Sequence, residues 1–406
     1  MPTLLAAAKD PTDVLDDLKP AGPKATVLDP AKAHLGKTIK NERQLIRARF
    51  SPDGLHLAAA GLDKIIHVWE LETEKKHTLP GHVTWVSALV FNPKGKQLFT
   101  ADFQGNIRAW DYVKPDSQPL FTITGADRQI TRALAVSNDG ALLLSGGDDG
   151  VVRAWSTKDG KPAKEFGTAL TTPVWQRVFK AGEAGHCGGI YALAVHPDGK
   201  SFVSGDQFGV AKHWEIASGK LVRDLDARLL YTRKEDFIAD VGGVRCFAFD
   251  AKGERLAAGG LSKAESNAFC PGTPAVLVFD WTTGKALTEL KLTVKSDGPI
   301  NGLRYLSDGT LAGFGEHQSA ATVCAFWKPA DKPEPFHTVS AQSATDLDLH
   351  PDGQRLVAPL FVANGSGGNG AREKFKDKYV QNASQIALIN LFAKVDTKPA
   401  KPVKKA

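Results

Sequence analysis

Three side chains could build a surface that recognises an acidic group. Arg132, Tyr191 and Arg245 each stand four residues ahead of a five-residue turn, "VSNDG" from Val136, "VHPDG" from Val195 and "FDAKG" from Phe249. Arginine presents a planar fork of donors matched to carboxylates, and tyrosine supplies contact area at little entropic cost. Set at equivalent places in successive structural units, they would form a basic, aromatic arc for an acidic peptide or a carboxylate-bearing side chain. The competing reading is that the arginines pair with nearby Asp148 or Asp240.

Bond-making chemistry has little support. The chain has no G-x-S-x-G, no H-E-x-x-H and no G-x-G-x-x-G in a strand–helix context. Cys187, Cys246, Cys270 and Cys324 show no metal-ligand spacing, and read as buried thiols in a reducing, cytoplasmic compartment. Asp148–Asp149 occupies a turn, where aspartate stabilises the backbone through its side chain. The glycine-rich run from Asn364 lacks a G-K-[ST] ending and reads as linker. No catalytic, cofactor-binding or metal-ligating residue is assigned, and no cofactor is expected. The net charge is +6, but "KVDTKPAKPVKKA" at the C-terminus carries five lysines against one aspartate, so the remainder is nearly neutral and nucleic acid is not the expected partner. The N-terminus lacks the features of a secretory signal, and no window approaches the ~18 apolar residues of a membrane span.

The elements that would position the arc follow from the turn. It occurs seven times, from Phe50, Phe91, Val136, Val195, Phe249, Tyr305 and Leu349, at spacings of 41 to 59 residues. In the first four copies a tryptophan follows 19 residues after the first turn residue: Trp69, Trp110, Trp155 and Trp214. The fifth and sixth place Phe279 and Phe326 there with a shift. Segments such as "VSALVF", "LLLSGG" and "VVRAW" are short, β-branched or aromatic, and bounded by Gly, Asp and Pro, which predicts strands. Four short strands per unit at this period predict a propeller blade whose sheet is buried against its neighbours.

Gly81–His82 and Gly185–His186 each place histidine 28 residues before a Trp–acid pair, Trp110–Asp111 and Trp214–Glu215; Trp69–Glu70 is a third such pair. These residues resemble the WD40 repeat family, in a bacterial-type form with degenerate repeats, over about residues 24–394. The resemblance implies that His, Ser/Thr, a turn Asp and Trp are hydrogen-bonded in each blade. Blade two would supply His82, Thr100 and Trp110, but Gln104 stands at the turn. Blade three has Ser145, Asp149 and Trp155, but Ala126 where His is expected. Blade four has His186, Ser204 and Trp214, with Phe208 at the turn. Blade one keeps Asp63 and Trp69. On this reading no blade is complete, and packing holds the blades together; these residues are structural.

The expected fold is all-β, a seven-bladed propeller of four-stranded antiparallel blades, closed by an N-terminal strand that completes the last blade. "KATVLDP" at 24–30 is the expected closing strand, with "HLGKT" at 34–38 as the alternative. Residues 1–23 and 395–406 are expected to be tails. Four long departures from the repeat, 167–186, 226–243, 261–274 and 363–384, fall in connections that share one face. They carry contact residues such as Trp175, Tyr231 and Arg233. The strand-start ring adds Asn301 to the arc, and Trp85 and Phe103 complete the candidate partner-binding set. The expected function is a non-catalytic, monomeric, cytoplasmic interaction scaffold for a protein or peptide partner of acidic character, with no membrane association. The alternative is a propeller enzyme with a metal or cofactor in its central channel.

Overall fold

The computed structural model describes residues 27–394 except 74, 172–180, 238, 266–270, 293–296, 317–321, 362–372, 376–377 and 381–383. Seven four-stranded antiparallel sheets follow one another along the chain. The first blade is built from Leu45–Phe50, His56–Gly61, Ile66–Glu70 and Lys76–Leu79, and the next five repeat this order from inner to outer strand. The turns between first and second strands put glycine in the left-handed region, with φ of 71° at Gly54, Gly199 and Gly353. That conformation is costly for a side chain and explains the D-G ending of the motif.

Burial lies between blades. One apolar cluster joins Ala135, Leu144 and Phe166 of blade three to Ile190, Phe202 and Trp214 of blade four. Another sets Trp110 of blade two against Ala58, Ala60 and Val68 of blade one. The seam is packed in the same way: Leu57, Ala59 and Trp69 of blade one meet Val357, Ile386 and Leu388 of blade seven. No described helix is long and apolar enough to cross a membrane.

The closing strand differs from expectation. Blade seven is ordered Asp348–Leu349, Arg355–Phe361, Ser384–Asn390 and then His34–Asn41, with Ile39 opposite Ile386. The N-terminal segment therefore completes the last blade, but through 34–41 and not 24–30. Of the earlier stretch, 24–26 lie outside the described residues, and 27–29 form no strand, although the Asp29 amide donates to the Leu391 carbonyl at 2.8 Å. Pro30–Lys32 make one turn of 3₁₀-helix. The 34–41 strand wins because it places Ile39 and Asn41 in the seam while its lysines stay at the solvent edge. The expected tails, 1–23 and 395–406, lie outside the described residues.

Candidate partner-binding face and channel

The hydrogen-bonded network is complete in two blades, contrary to expectation. His82 Nε2 lies 2.7 Å from Thr100 Oγ1, which also accepts from Trp110 Nε1 at 2.8 Å. His82 Nδ1 lies 3.0 Å from Asp102. Blade four repeats this through His186, Ser204, Trp214 and Asp206, at 2.6, 2.8 and 3.0 Å. The acid closes the second strand and lies two residues before the turn position held by Gln104 or Phe208; from there it also accepts the turn amides. The common signal is a histidine followed by aspartate 20 residues later, 82 to 102 and 186 to 206. Burial depresses the His82 imidazole, with Asp102 opposing. Burial tends to raise Asp102, but the bonds from His82 and the turn amides hold it below the usual carboxylate range.

Blade three is built differently. Trp155 donates to Ser145 at 2.8 Å, but with Ala126 in place of histidine the neighbouring Asp127 enters the pocket. Its carboxylate accepts the Gln129 amide at 2.9 Å and faces Asp149, which is paired to Arg153 at 2.7 Å. Burial, with the Asp149 charge added, pushes Asp127 up to about 7. In blade one Asp63 binds His67 at 2.6 Å and accepts from Asn41 of the closing strand at 3.3 Å, while Trp69 is buried.

The ring of strand-start residues has a common cause. Each inner strand of blades one to six carries a register shift at its beginning, and the residue it skips is Ile46, Ser87, Arg132, Tyr191, Arg245 or Asn301. A bulge leaves that residue unpaired and turns its side chain out of the sheet's alternation. The structure brings three of them into one stack: the Arg132 guanidinium carbon lies 4.8 Å and that of Arg245 4.5 Å from the Tyr191 ring centre. The competing pairing holds for one arginine only. Arg132 binds Asp148 through Nε and, at 3.3 Å, through Nη2. Asp240 is held instead by Tyr231 Oη at 2.6 Å and Arg233 Nη1 at 3.0 Å. Tyr231 and Arg233 thus brace the hairpin Tyr231–Lys234/Ala239–Gly242. Asn301 donates to Glu316 at 2.9 Å and to the Ala344 carbonyl at 3.1 Å.

Antiparallel blades put the connections into each inner strand and those between second and third strands at one end of the ring. The four long insertions occupy such connections. Trp85 stands at the same end, 46 % exposed and edge-on to Phe103 at 5.4 Å. Trp175 lies outside the described residues, as does most of 363–384. Cys246 and Cys324 are free thiols, of which Cys324 is fully buried, and Cys187 is half-buried; Cys270 is outside the described residues. Among the described residues no group of three or more His, Cys, Asp or Glu is placed to hold a metal.

Residues 38–70, 73–111, 117–156 and 177–214, covering blades one to four, match the family model described as "WD domain, G-beta repeat". The chain is 28% identical to the COMPASS component SWD3 of Saccharomyces cerevisiae over 45% of this chain and 54% of that protein. It is 23% identical to the nuclear distribution protein PAC1 of Arthroderma otae over 50% and 48%. It is 28% identical to the cilia- and flagella-associated protein 52 of Chlamydomonas reinhardtii over 44% and 26%. The matches span from about a quarter to just over half of these relatives' lengths. All three are eukaryotic, so a bacterial-type assignment gains no support, and the two complete networks speak against degenerate repeats.

Proposed function

Because the chain is a WD40-repeat protein whose blades close into one ring, we propose that it is a non-catalytic scaffold presenting the insertion-bearing end of the ring to a protein or peptide partner. The observation that carries this reading is the Arg132–Tyr191–Arg245 stack at the channel mouth. A tyrosine clamped between two guanidiniums is an ordered aromatic anchor, and Tyr and Arg dominate interface energetics. Arg132 is largely neutralised by Asp148, whereas Arg245 pairs with no carboxylate among the described residues. An acidic partner group suits that remaining charge. Trp85 and Phe103 extend the apolar contact area, and the insertions 167–186, 226–243, 261–274 and 363–384 frame it. Tyr231 and Arg233 contribute by shaping their hairpin, and Asn301 by tying blade six to blade seven. The relative described as a COMPASS component works within an assembly, in keeping with a scaffold. The Cys246 and Cys324 thiols suit a reducing cytoplasm, and a monomer is the form proposed to act there.

The test is affinity capture of partners from the source cell with the intact chain, followed by titration of the captured partner against variants. Arg245→Ala and Tyr191→Ala are expected to weaken binding by roughly 1–3 kcal/mol, in the range of interface hot spots, with little change in the unfolding midpoint. Variants that lose folding yet bind as tightly as wild type when folded would assign the stack to structure and remove this reading.

A further inference from the structure

Behind the mouth lies a cavity of about 340 Å³ in the channel, lined by Arg47, Arg49, Arg132, Arg245 and Arg304 and by a single carboxylate, Asp346. Three of these arginines are neutralised. Arg49 pairs with Asp346, Arg304 with Asp348 at 2.9 Å, and Arg132 with Asp148. Two are not. Arg47 from blade one donates through Nη1 to the carbonyls of Ile46 at 3.0 Å and Thr345 at 3.1 Å, and pairs with no carboxylate among the described residues. Arg245 from blade five rests on Tyr191, and its Nε is buried without an acceptor. The two other acids near the mouth, Glu316 and Asp240, are outside the cavity lining and are bound by Asn301 and by Tyr231 with Arg233.

The cavity has room because the residue after the bulge is small in five successive blades: Ala88, Ala133, Ala192, Cys246 and Gly302 all line it. Burial depresses the Arg47 guanidinium, and the charges of Arg49 and Arg132 add to that effect against Asp346. Buried cations are ordinarily paired, because an unpaired one is left without its hydration. A volume of this size falls within the range of small-ligand sites.

We propose that the channel is a binding site for a compact anion with several oxygens, carboxylate or phosphate in character, held between Arg47 and Arg245. Tyr191 holds Arg245 in place at the wall, and guanidinium forks give directional, charge-assisted bonds to such an anion. This site shares Arg132, Tyr191 and Arg245 with the stack at the mouth and adds Arg47 of blade one, so Arg47→Gln tests it apart from the docking of a protein on the stack. The same chemistry has two sources, a free small anion or an acidic side chain reaching in from a partner.

The experiment is calorimetric titration and thermal unfolding of the full chain with inorganic phosphate, succinate and citrate, at ionic strength held constant with chloride, and in parallel with a short glutamate-rich peptide. Saturable binding of at least one probe is expected, with a matching rise in melting temperature. Arg47→Gln and Arg245→Gln should each weaken it tenfold or more, while exposed Lys161→Gln leaves it unchanged. Binding of the free anions identifies a small-molecule source; binding of the peptide alone identifies a partner's side chain. The conservative Arg47→Lys and Arg245→Lys variants provide a second readout: they keep the charge and should keep part of the response, which separates a lost anion contact from lost folding. A response that follows ionic strength alone, or one that survives both glutamine substitutions, overturns the proposal.

Discussion

His350 Nε2 donates to the carbonyl of Gly54 across 3.0 Å, joining the turn of the last blade to the turn of the first. The His350 ring also lies edge-on to Phe50 at 4.7 Å. The same latch recurs where His196 donates to Gly253 at 2.9 Å, and asparagine plays the part where Asn92 donates to Gly140 at 3.0 Å. At the seam it adds a second tie to the short connection 42–44, by which the closing strand of blade seven runs into blade one. His350→Ala is therefore expected to lower stability by about 1–3 kcal/mol, from a lost buried hydrogen bond and lost ring packing. Denaturant unfolding measures it; an unchanged midpoint would show that apolar packing alone holds the seam.

Closure depends on His34–Asn41. Deleting residues 1–26 leaves this strand whole and should leave the melting temperature nearly unchanged. Deleting 1–41 exposes the edge of Ser384–Asn390 and should cause loss of cooperativity or aggregation on size-exclusion chromatography. Equal behaviour of the two truncations would contradict the pairing.

Asp102 is a buried acid serving His82, Arg108 and two backbone amides. Asp102→Ala should cost about 3–5 kcal/mol, as for removal of one partner of a buried pair. Its depressed value means that the unfolded chain takes up a proton first. Its contribution is full above the ordinary aspartate range and is lost as pH falls through the lowered folded value. Asp102→Asn should accordingly flatten the acid limb of a plot of unfolding midpoint against pH.

Asp127 has the opposite sign. Folded, it keeps its proton up to about 7, whereas the unfolded side chain releases it near the ordinary aspartate value of 3.8. Between those values the folded state binds more protons, so this group makes stability fall as pH rises and level off above about 7. Asp127→Asn should remove that loss and gain ~1–3 kcal/mol at pH 8 relative to pH 5, compared with wild type. Parallel pH profiles for the two proteins would show that Asp127 is ionised throughout.

The blade count and the ring positions were legible because the D-G turn fixes them. Glycine marks the turn, and the bulge recurs a constant distance before it, so counting back four residues from Val136, Val195 or Phe249 lands on the skipped residue. The closing strand was harder to read. An outermost strand buries little, and in 34–41 only Ile39 and Asn41 are fully covered, so its hydrophobic signal is no stronger than that of 24–30. The network was missed because Gln104 and Phe208 occupy the turn, while Asp102 and Asp206 reach the histidine from the end of the preceding strand. The channel arginines Arg47, Arg49 and Arg304 carry no spacing motif. Their grouping depends on blades one and six flanking blade seven, a relation that appears only when the ring is closed.

That closure also sets a timetable. Ile39 is made 347 positions before its partner Ile386. At ribosomal speeds of about 5–20 residues per second, the early strand waits roughly 20–70 s for its mate. Throughout that interval the inner blades can stack while the first segment has no sheet to join, and blade one keeps an uncovered flank. The nascent chain is thus at its most adhesive just before Ser384–Asn390 emerges, and holding the waiting strand His34–Asn41 apart from other chains is the step on which its yield turns.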